Sequence, residues 1–228
     1  KIPLVTGEKD PAVLKMFETK CQELATEVIP TSSYTILENC NGLQKFEFLN
    51  STYQIAMQGT HQIENACTAL TVLEQLRKKE FEISPDAIHA GLKKTSWPGR
   101  LQVISQKPLI IVDGAHNPDA MNYLADYAQD NLTQRKVLLL GVSKGRDVGE
   151  MVKHITPLFD HIIITQSSFK PEETSVISAH TQKYNSSVEV IEDLKEAVDI
   201  AITKAQGGTL LITGSLYLVG DVLSILKN

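Results

Sequence analysis

From residue 98 onward the chain alternates between short apolar runs and longer helical segments, and this rhythm limits the fold more than any other feature of the sequence. The runs fall at 102–104, 109–112, 136–140, 161–165, 188–191 and 209–213; the helical segments fall at 118–130, 148–158, 174–184, 194–205 and 216–226. A run such as Leu109-Ile110-Ile111-Val112 has no polar alternation, so both faces of that strand must be covered. Repeated strand–helix units of this kind build a parallel sheet with helices on both sides. The spacing predicts an α/β fold, a Rossmann-like doubly wound and mainly parallel sheet of about six strands. The run at 102–104 reaches 109–112 through a short Lys-Pro turn, so the first strand could instead be antiparallel.

Trp97-Pro98-Gly99 stops the preceding helix and permits a sharp turn, which divides the chain into a domain at 1–97 and a second at 98–228. In the first, Asp10-Pro11 pairs a capping carboxylate with a first-turn proline and predicts a helix to about Glu27. A strand is expected at 34–38, and a hairpin whose strands, 46–49 and 53–57, flank Asn50-Ser51. A helix over 61–78 capped by Thr60, and another starting at Ser84-Pro85, complete this part.

Hydrophobic residues make up 42% and charged residues 21%, which excludes disordered and low-complexity classes. A net charge of −5 argues against a nucleic-acid groove, and the longest apolar runs, such as 137–142, are too short to span a membrane. Cys21, Cys40 and Cys67 lack metal-site spacing and read as small core hydrophobes of a reduced, cytoplasmic protein. The opening Lys1-Ile2-Pro3-Leu4-Val5 has no signal-peptide character and reads as a strand entered mid-fold, so the chain is expected to be part of something longer.

The most informative segment runs from Leu109 to Pro118. Asp113 ends a buried strand, Gly114 turns the chain, and Asn117-Pro118 starts a helix. Open α/β sheets bind ligands beyond strand carboxyl ends, where a helix N-terminus offers free N–H groups to an anion. Asp113 is therefore either a ligand for two ribose hydroxyls or, with Asn117, a residue that only satisfies turn and cap backbone groups. His116 precedes the cap and faces the same crevice. Arg100, in Pro98-Gly99-Arg100, has the planar donor fork that suits a phosphate, or is simply a surface arginine. His61 and Asn65 are one helical turn apart; the Asn65 amide can read an adenine edge or lie in solvent. The Gly141–Asp147 turn and Gly214-Ser215-Leu216-Tyr217 close two further strands, with Ser215 as a cap. No phosphate-loop motif of the G-x-x-x-x-G-K-[ST] type occurs, and no G-x-S-x-G elbow surrounds Ser215. His89, His154, His161 and His180 have no metal spacing.

Together W-P-G-R, D-G-A-H-N-P and G-S-L-Y, preceded by G-x-H-Q-x-x-N-A at Gly59–Ala66, resemble folylpolyglutamate synthase and the related bifunctional dihydrofolate synthase, within the Mur ligase superfamily. The resemblance implies an ATP- and Mg²⁺-dependent amide ligase that activates a folate γ-carboxyl as an acyl phosphate and joins glutamate to it. On motif match, Asn65 would contact adenine, Asp113 the ribose and Arg100 the phosphates, while His116 and Ser215 would line the place where amino acid and phosphates meet. The Gly141–Asp147 turn reads K-G-R-D where many relatives have K-D-K-D. The family's phosphate loop, Mg²⁺ ligands and modified lysine are expected upstream of Lys1. Residues 1–97 would then be the end of the central ATPase domain, 98–228 the whole C-terminal domain, and this stretch alone inactive. The full-length enzyme is expected to be a cytoplasmic monomer that uses folate and glutamate and binds neither nucleic acid nor membrane. The rival readings are a nucleotide-binding α/β module without chemistry and a fragment of a cell-wall Mur ligase.

Overall fold

The computed structural model describes residues 2–37, 42–132 and 134–227. Cys40 and the last residue of the strand expected at 34–38 lie outside the described residues. The chain divides into two compact units, Lys1–Ser96 and Trp97–Asn228.

In the first unit, β1 (Leu4–Thr6), α1 (Pro11–Glu23) and β2 (Val28–Pro30) form a βαβ turn in which β1 and β2 pair in parallel, Leu4 opposite Val28. Asp10 caps α1 by accepting from the Ala12 and Val13 N–H groups at 2.7 and 3.3 Å. The helix stops four residues before the expected Glu27. Ala25 enters the left-handed region (φ 46°), and the Thr26 N–H donates back to the Cys21 carbonyl, which frees the β-branched Val28-Ile29 pair for the sheet. Next come β3 (Thr35–Ile36), β4 (Gln44–Phe48) and β5 (Ser51–Ile55), an antiparallel trio. The hairpin lies one to two residues earlier than expected, because Leu49 and Asn50 are the two turn residues, both left-handed (φ 48° and 59°), as a two-residue turn of type I′ requires.

Two helices, α2 (Thr60–Arg77) and α3 (Pro85–Lys94), complete this unit. The cap of α2 is Gly59 (φ 92°) and no side chain caps it, so the expected Thr60 cap is replaced by a backbone conformation that glycine adopts without strain. Ser84 caps α3 as expected, accepting from the Ala87 N–H. Ile63, Ala66, Cys67 and Leu70 of α2 pack with Phe46, Phe48, Ile55 and Ile88. Cys21 and Cys67 are buried free thiols. Burial, and after it the nearby Glu64 carboxylate, pushes the Cys67 thiol up to about 12, so it is packing material and not a nucleophile.

The second unit contains β6 (Gln102–Gln106), β7 (Leu109–Val112), α4 (Pro118–Asn131), β8 (Lys136–Leu140), α5 (Val148–Lys153), β9 (His161–Ile164), α6 (Thr174–Thr181), β10 (Val188–Val190), α7 (Leu194–Lys204), β11 (Thr209–Thr213) and α8 (Leu216–Ile225). Its strands lie in the order β10-β9-β8-β11-β7-β6, six among the described residues. All pairs are parallel except β6 with β7, so the first strand takes its antiparallel alternative. The helix expected at 148–158 is broken into α5 and a 3-10 turn over Thr156–Leu158, because Pro157 has no N–H to continue the helical ladder.

Alternate residues of each strand point to opposite faces. Ile111, Leu138, Leu140, Ile162 and Leu211 pack with α4, α5 and α6 through Met121, Leu124, Val148, Met151 and Ile177. Ile110, Val112, Val137, Leu139, Ile163, Leu210 and Ile212 pack with α7 and α8 through Ala197, Val198, Ala201, Leu218, Val219 and Val222. Each buried Val, Leu, Ile or Met among these contributes about 1.5–3 kcal/mol by leaving water. The arrangement also locates the ligand edge. The helix leaving β11 covers one face, while those leaving its neighbours β7 and β8 cover the other. The chain therefore parts on both sides of the carboxyl end of β11, where an open sheet takes its ligand.

Candidate functional site

Two turns of the second unit are joined at the end of β7. The Asp113 carboxylate is 5% exposed. Its Oδ1 accepts from the Ala115 N–H at 2.8 Å and its Oδ2 from the Leu101 N–H at 2.9 Å. The Gly114 N–H donates to the Gly99 carbonyl at 2.7 Å. These three bonds lock the turn carrying Arg100 to the turn carrying His116. The start of α8 closes against both. A Cβ on Gly114 would lie 2.1 Å from Leu216 Cδ2, and one on Gly99, itself left-handed at φ 74°, would lie 2.9 Å from Val219 Cγ1. W-P-G-R, D-G-A-H and G-S-L-Y are thus three faces of one packed corner, and their glycines are the points where that corner has no room for a side chain.

Arg100 is half-buried, and its guanidinium has no hydrogen-bond or ion-pair partner among the described residues. A fork of donors so placed can take an anion without first breaking a bond. His116 Nδ1 lies 2.9 Å from the Gly114 carbonyl. A carbonyl only accepts, so Nδ1 carries a proton and donates, and Nε2 has no hydrogen-bond partner among the described residues. Asn117 Oδ1 caps α4 by accepting from the Ala120 N–H at 2.8 Å. The structure thus fills the backbone-satisfying roles of Asp113 and Asn117.

The second crevice lies between β11 and β8. The Gly141 N–H donates to the Thr213 carbonyl at 3.2 Å, and Gly214 (φ 107°) sits so close that a Cβ there would be 2.7 Å from the Gly141 oxygen. Ser215 is 1% exposed. Its Oγ caps α8 by accepting from the Tyr217 N–H at 3.1 Å, and it shares a 2.8 Å hydrogen bond with Ser143 Oγ. The Thr213 hydroxyl is buried at the same strand end with no hydrogen-bond partner among the described residues. Ser143 was not singled out from sequence. Its only signal is a hydroxyl two residues past a strand-ending glycine, and its partner is 72 residues away.

In the second unit, therefore, Arg100, Asp113 and His116 come together, with Ser215 on the adjoining strand end. Asn65 belongs to the first unit, where it is exposed on α2 and donates to Gln62 Oε1 at 3.3 Å, while Gln62 Nε2 donates to His61 Nε2 at 2.9 Å. Among the described residues no group of three His, Cys, Asp or Glu side chains is placed to hold a metal ion. None of the described helices is long and apolar enough to cross a membrane.

Fold and site define a protein of the doubly wound α/β class whose ligand edge carries an arginine, an aspartate and a histidine in one corner. A family model described as Mur ligase, glutamate ligase domain matches residues 99–216, and the chain belongs to that family. Among curated relatives it is 25% identical to the dihydrofolate synthase/folylpolyglutamate synthase of Bacillus subtilis, over 99% of this chain and 55% of that protein. The solved folylpolyglutamate synthase of Thermotoga maritima is 27% identical with a TM-score of 0.76, covering 100% of this chain and 54% of that one. The folylpolyglutamate synthase of Mycobacterium tuberculosis, complexed with ADP and AMPPCP, superimposes with a TM-score of 0.87 at 22% identity, a likeness of fold over 99% of this chain and 55% of that one. The chain thus spans about half the length of these relatives.

Proposed function

We propose that this chain is the C-terminal portion of an ATP-dependent amide ligase that adds glutamate to the γ-carboxyl of folates, as folylpolyglutamate synthase does, with residues 1–97 ending a central ATPase domain and 98–228 forming the C-terminal domain. The observation that carries the reading is the corner at the end of β7, where Arg100, whose guanidinium has no partner among the described residues, and His116 flank the two N–H groups held by one buried carboxylate. Arg100 supplies the donor fork that suits phosphate oxygens, and motif resemblance assigns Asp113 to the ribose and, on the first unit, Asn65 to adenine. Bound ATP with Mg²⁺ supplies the phosphoryl group that activates the folate carboxyl as an acyl phosphate. The glutamate amine attacks the acyl carbon, His116 Nε2 takes the proton the amine loses, and the carbon–oxygen bond to the phosphoryl group breaks to release inorganic phosphate; Ser215, fixed between Ser143 and Tyr217, keeps the mouth of α8 in place. Mg²⁺ ligands belong to a segment upstream of Lys1. The whole enzyme is read as a cytoplasmic monomer.

The test is phosphate release with ATP, Mg²⁺, tetrahydrofolate and glutamate, in a protein that carries this sequence behind an upstream segment of the length its relatives have. Glutamate- and folate-dependent turnover is expected there and not in the 228 residues alone, because phosphoryl transfer depends on positioning and on metal neutralisation of phosphate charge. Turnover by the 228 residues would show that the catalytic machinery is misplaced; turnover of a UDP-linked muropeptide in place of folate would reassign the substrate.

A further inference from the structure

The loop after β9 carries an aromatic ring outward and spends several hydrogen bonds to keep it there. Phe169 and Tyr217 lie with ring centroids 4.6 Å apart at 47°, yet they remain 44% and 49% exposed, and Leu216 beside them is 43% exposed. The loop is pinned on both sides. Ser168 donates through its N–H and its hydroxyl to Asp221 on α8 at 2.7 and 3.0 Å. The Lys144 N–H donates to the Lys170 carbonyl and the Glu172 N–H to the Val142 carbonyl, both at 2.8 Å, and Ser143 bridges to Pro171. Lys170 is held in the left-handed region (φ 44°), with Nζ 5.3 Å from the Phe169 centroid. A rigid loop that keeps apolar surface in water is the mark of a binding surface.

The charges around the pair are sorted. Asp147, Glu172 and Asp221 each accept from a backbone N–H, of Glu150, Glu173 and Ser168 respectively. Lys144 and Arg146 are exposed and have no hydrogen-bond or ion-pair partner for their charged groups among the described residues, and the Lys170 ammonium rests on a ring. What complements two exposed rings rimmed by three such cations is a planar aromatic group with a carboxylate tail. The place agrees: the Tyr217 N–H donates to Ser215 Oγ, and Ser143 adjoins both the loop and Ser215.

We infer that the Phe169–Tyr217 pair is a stacking subsite for the p-aminobenzoyl ring of the ligase's acceptor, with Lys144, Arg146 and Lys170 taking carboxylates of its γ-glutamyl tail. This rests on the folate reading of the site. The probe is p-aminobenzoyl-tri-γ-glutamate, titrated into the 228-residue chain by calorimetry, beside tri-γ-glutamate without the ring and ADP. Saturable binding of the ring-bearing probe is expected, weakened about tenfold by Phe169→Ala with Tyr217→Ala, a loss of one stacking contact's size. Phe169→Leu, which keeps apolar bulk on an exposed position and so preserves the fold, should weaken it as well. Lys144→Ala with Arg146→Ala should flatten the salt dependence of binding. Equal affinity for the ring-free peptide, or unchanged affinity in the Phe169→Leu chain, overturns the subsite; so does a loss confined to ADP, which would make the platform a nucleotide site. Folate ligation by the extended enzyme with unchanged probe affinity in these variants would sink the subsite and leave the function standing. Probe binding as expected in an enzyme that does not ligate folate would do the reverse.

Discussion

Replacing Asp113 by alanine should destabilise the second unit before it disturbs any ligand. The carboxylate is almost fully buried and holds two backbone N–H groups, those of Leu101 and Ala115, from separate turns. Hydrogen bonds to a charged acceptor are worth about 1.5–3 kcal/mol each, and both donors would be left in a place that admits little water, which sums to roughly 3–6 kcal/mol. Water entering the vacated volume reduces this, so about 3 kcal/mol is the working figure. For a unit of this size that lowers Tm by roughly 10 °C. The Asp113→Asn side chain keeps one acceptor oxygen and turns an amide donor toward the other N–H, so at least half the loss should remain. The assay is thermal and urea unfolding of the parent, Asp113→Asn and Asp113→Ala chains, followed by near-UV signal. If Asp113→Ala melted within about 2 °C of the parent, the argument that this carboxylate organises the corner would fail, and a ribose contact alone would have to account for the residue.

Arg100→Ala should do the opposite: no measurable change in unfolding, because its guanidinium has no partner to lose among the described residues, but in the extended enzyme a kcat/KM for ATP lower by about tenfold or more, read from steady-state kinetics at varied ATP. Gly214→Ala would force a Cβ to within 2.7 Å of a backbone oxygen at φ 107° and should cost about 2 kcal/mol or more in urea unfolding, whereas Gly145→Ala, with open space around it, should cost only its backbone strain of about 1–2 kcal/mol. The hydrogen bond from His161, and after it Lys204, holds the Glu189 carboxyl below its ordinary value of 4.5. A lowered carboxyl pKa stabilises the fold above the unfolded value and stops doing so as pH falls through the folded one. Glu189→Gln should therefore differ from the parent at about pH 6 and converge with it towards about pH 3, in denaturation curves taken across that range.

The strands at 109–112, 136–140 and 209–213 could be read from sequence to the residue, because each is an apolar run buried on both faces and closed by Asp113, Gly141 or Gly214. Elements at the surface of a unit were less legible. The end of α1 depends on Ala25 accepting a left-handed conformation, and the hairpin on Leu49 doing so, and neither residue type announces it. The break after α5 was legible in principle, since Pro157 stands within the expected helix. At the site, Asp113 could be placed at a strand end from the run of apolar residues before it. That its Oδ2 reaches Leu101 could not, because the contact depends on the antiparallel register of β6 against β7. The Ser143–Ser215 bond was hidden for the same reason: β11 lies beside β8 only once the sheet is assembled.

The central place of β11 governs the order in which the second unit can be made. Thr209 pairs with Leu109 on one side and with Lys136 on the other, so a strand synthesised long after β7 and β8 forms the middle of the sheet. On a ribosome, β7 and β8 emerge as neighbours in sequence with a strand-wide gap between them, and the unpaired backbone N–H and C=O groups facing that gap wait for the insertion. At about 5–20 residues per second, the wait lasts several seconds or more, long enough for chaperones to engage the exposed edges. A nascent chain halted before Thr209 should remain protease-sensitive throughout the second unit, and release of the 209–213 segment should confer resistance in one step. The ligand edge matures in that same step, since the Asp113 and Gly141 N–H groups both donate to carbonyls of β11.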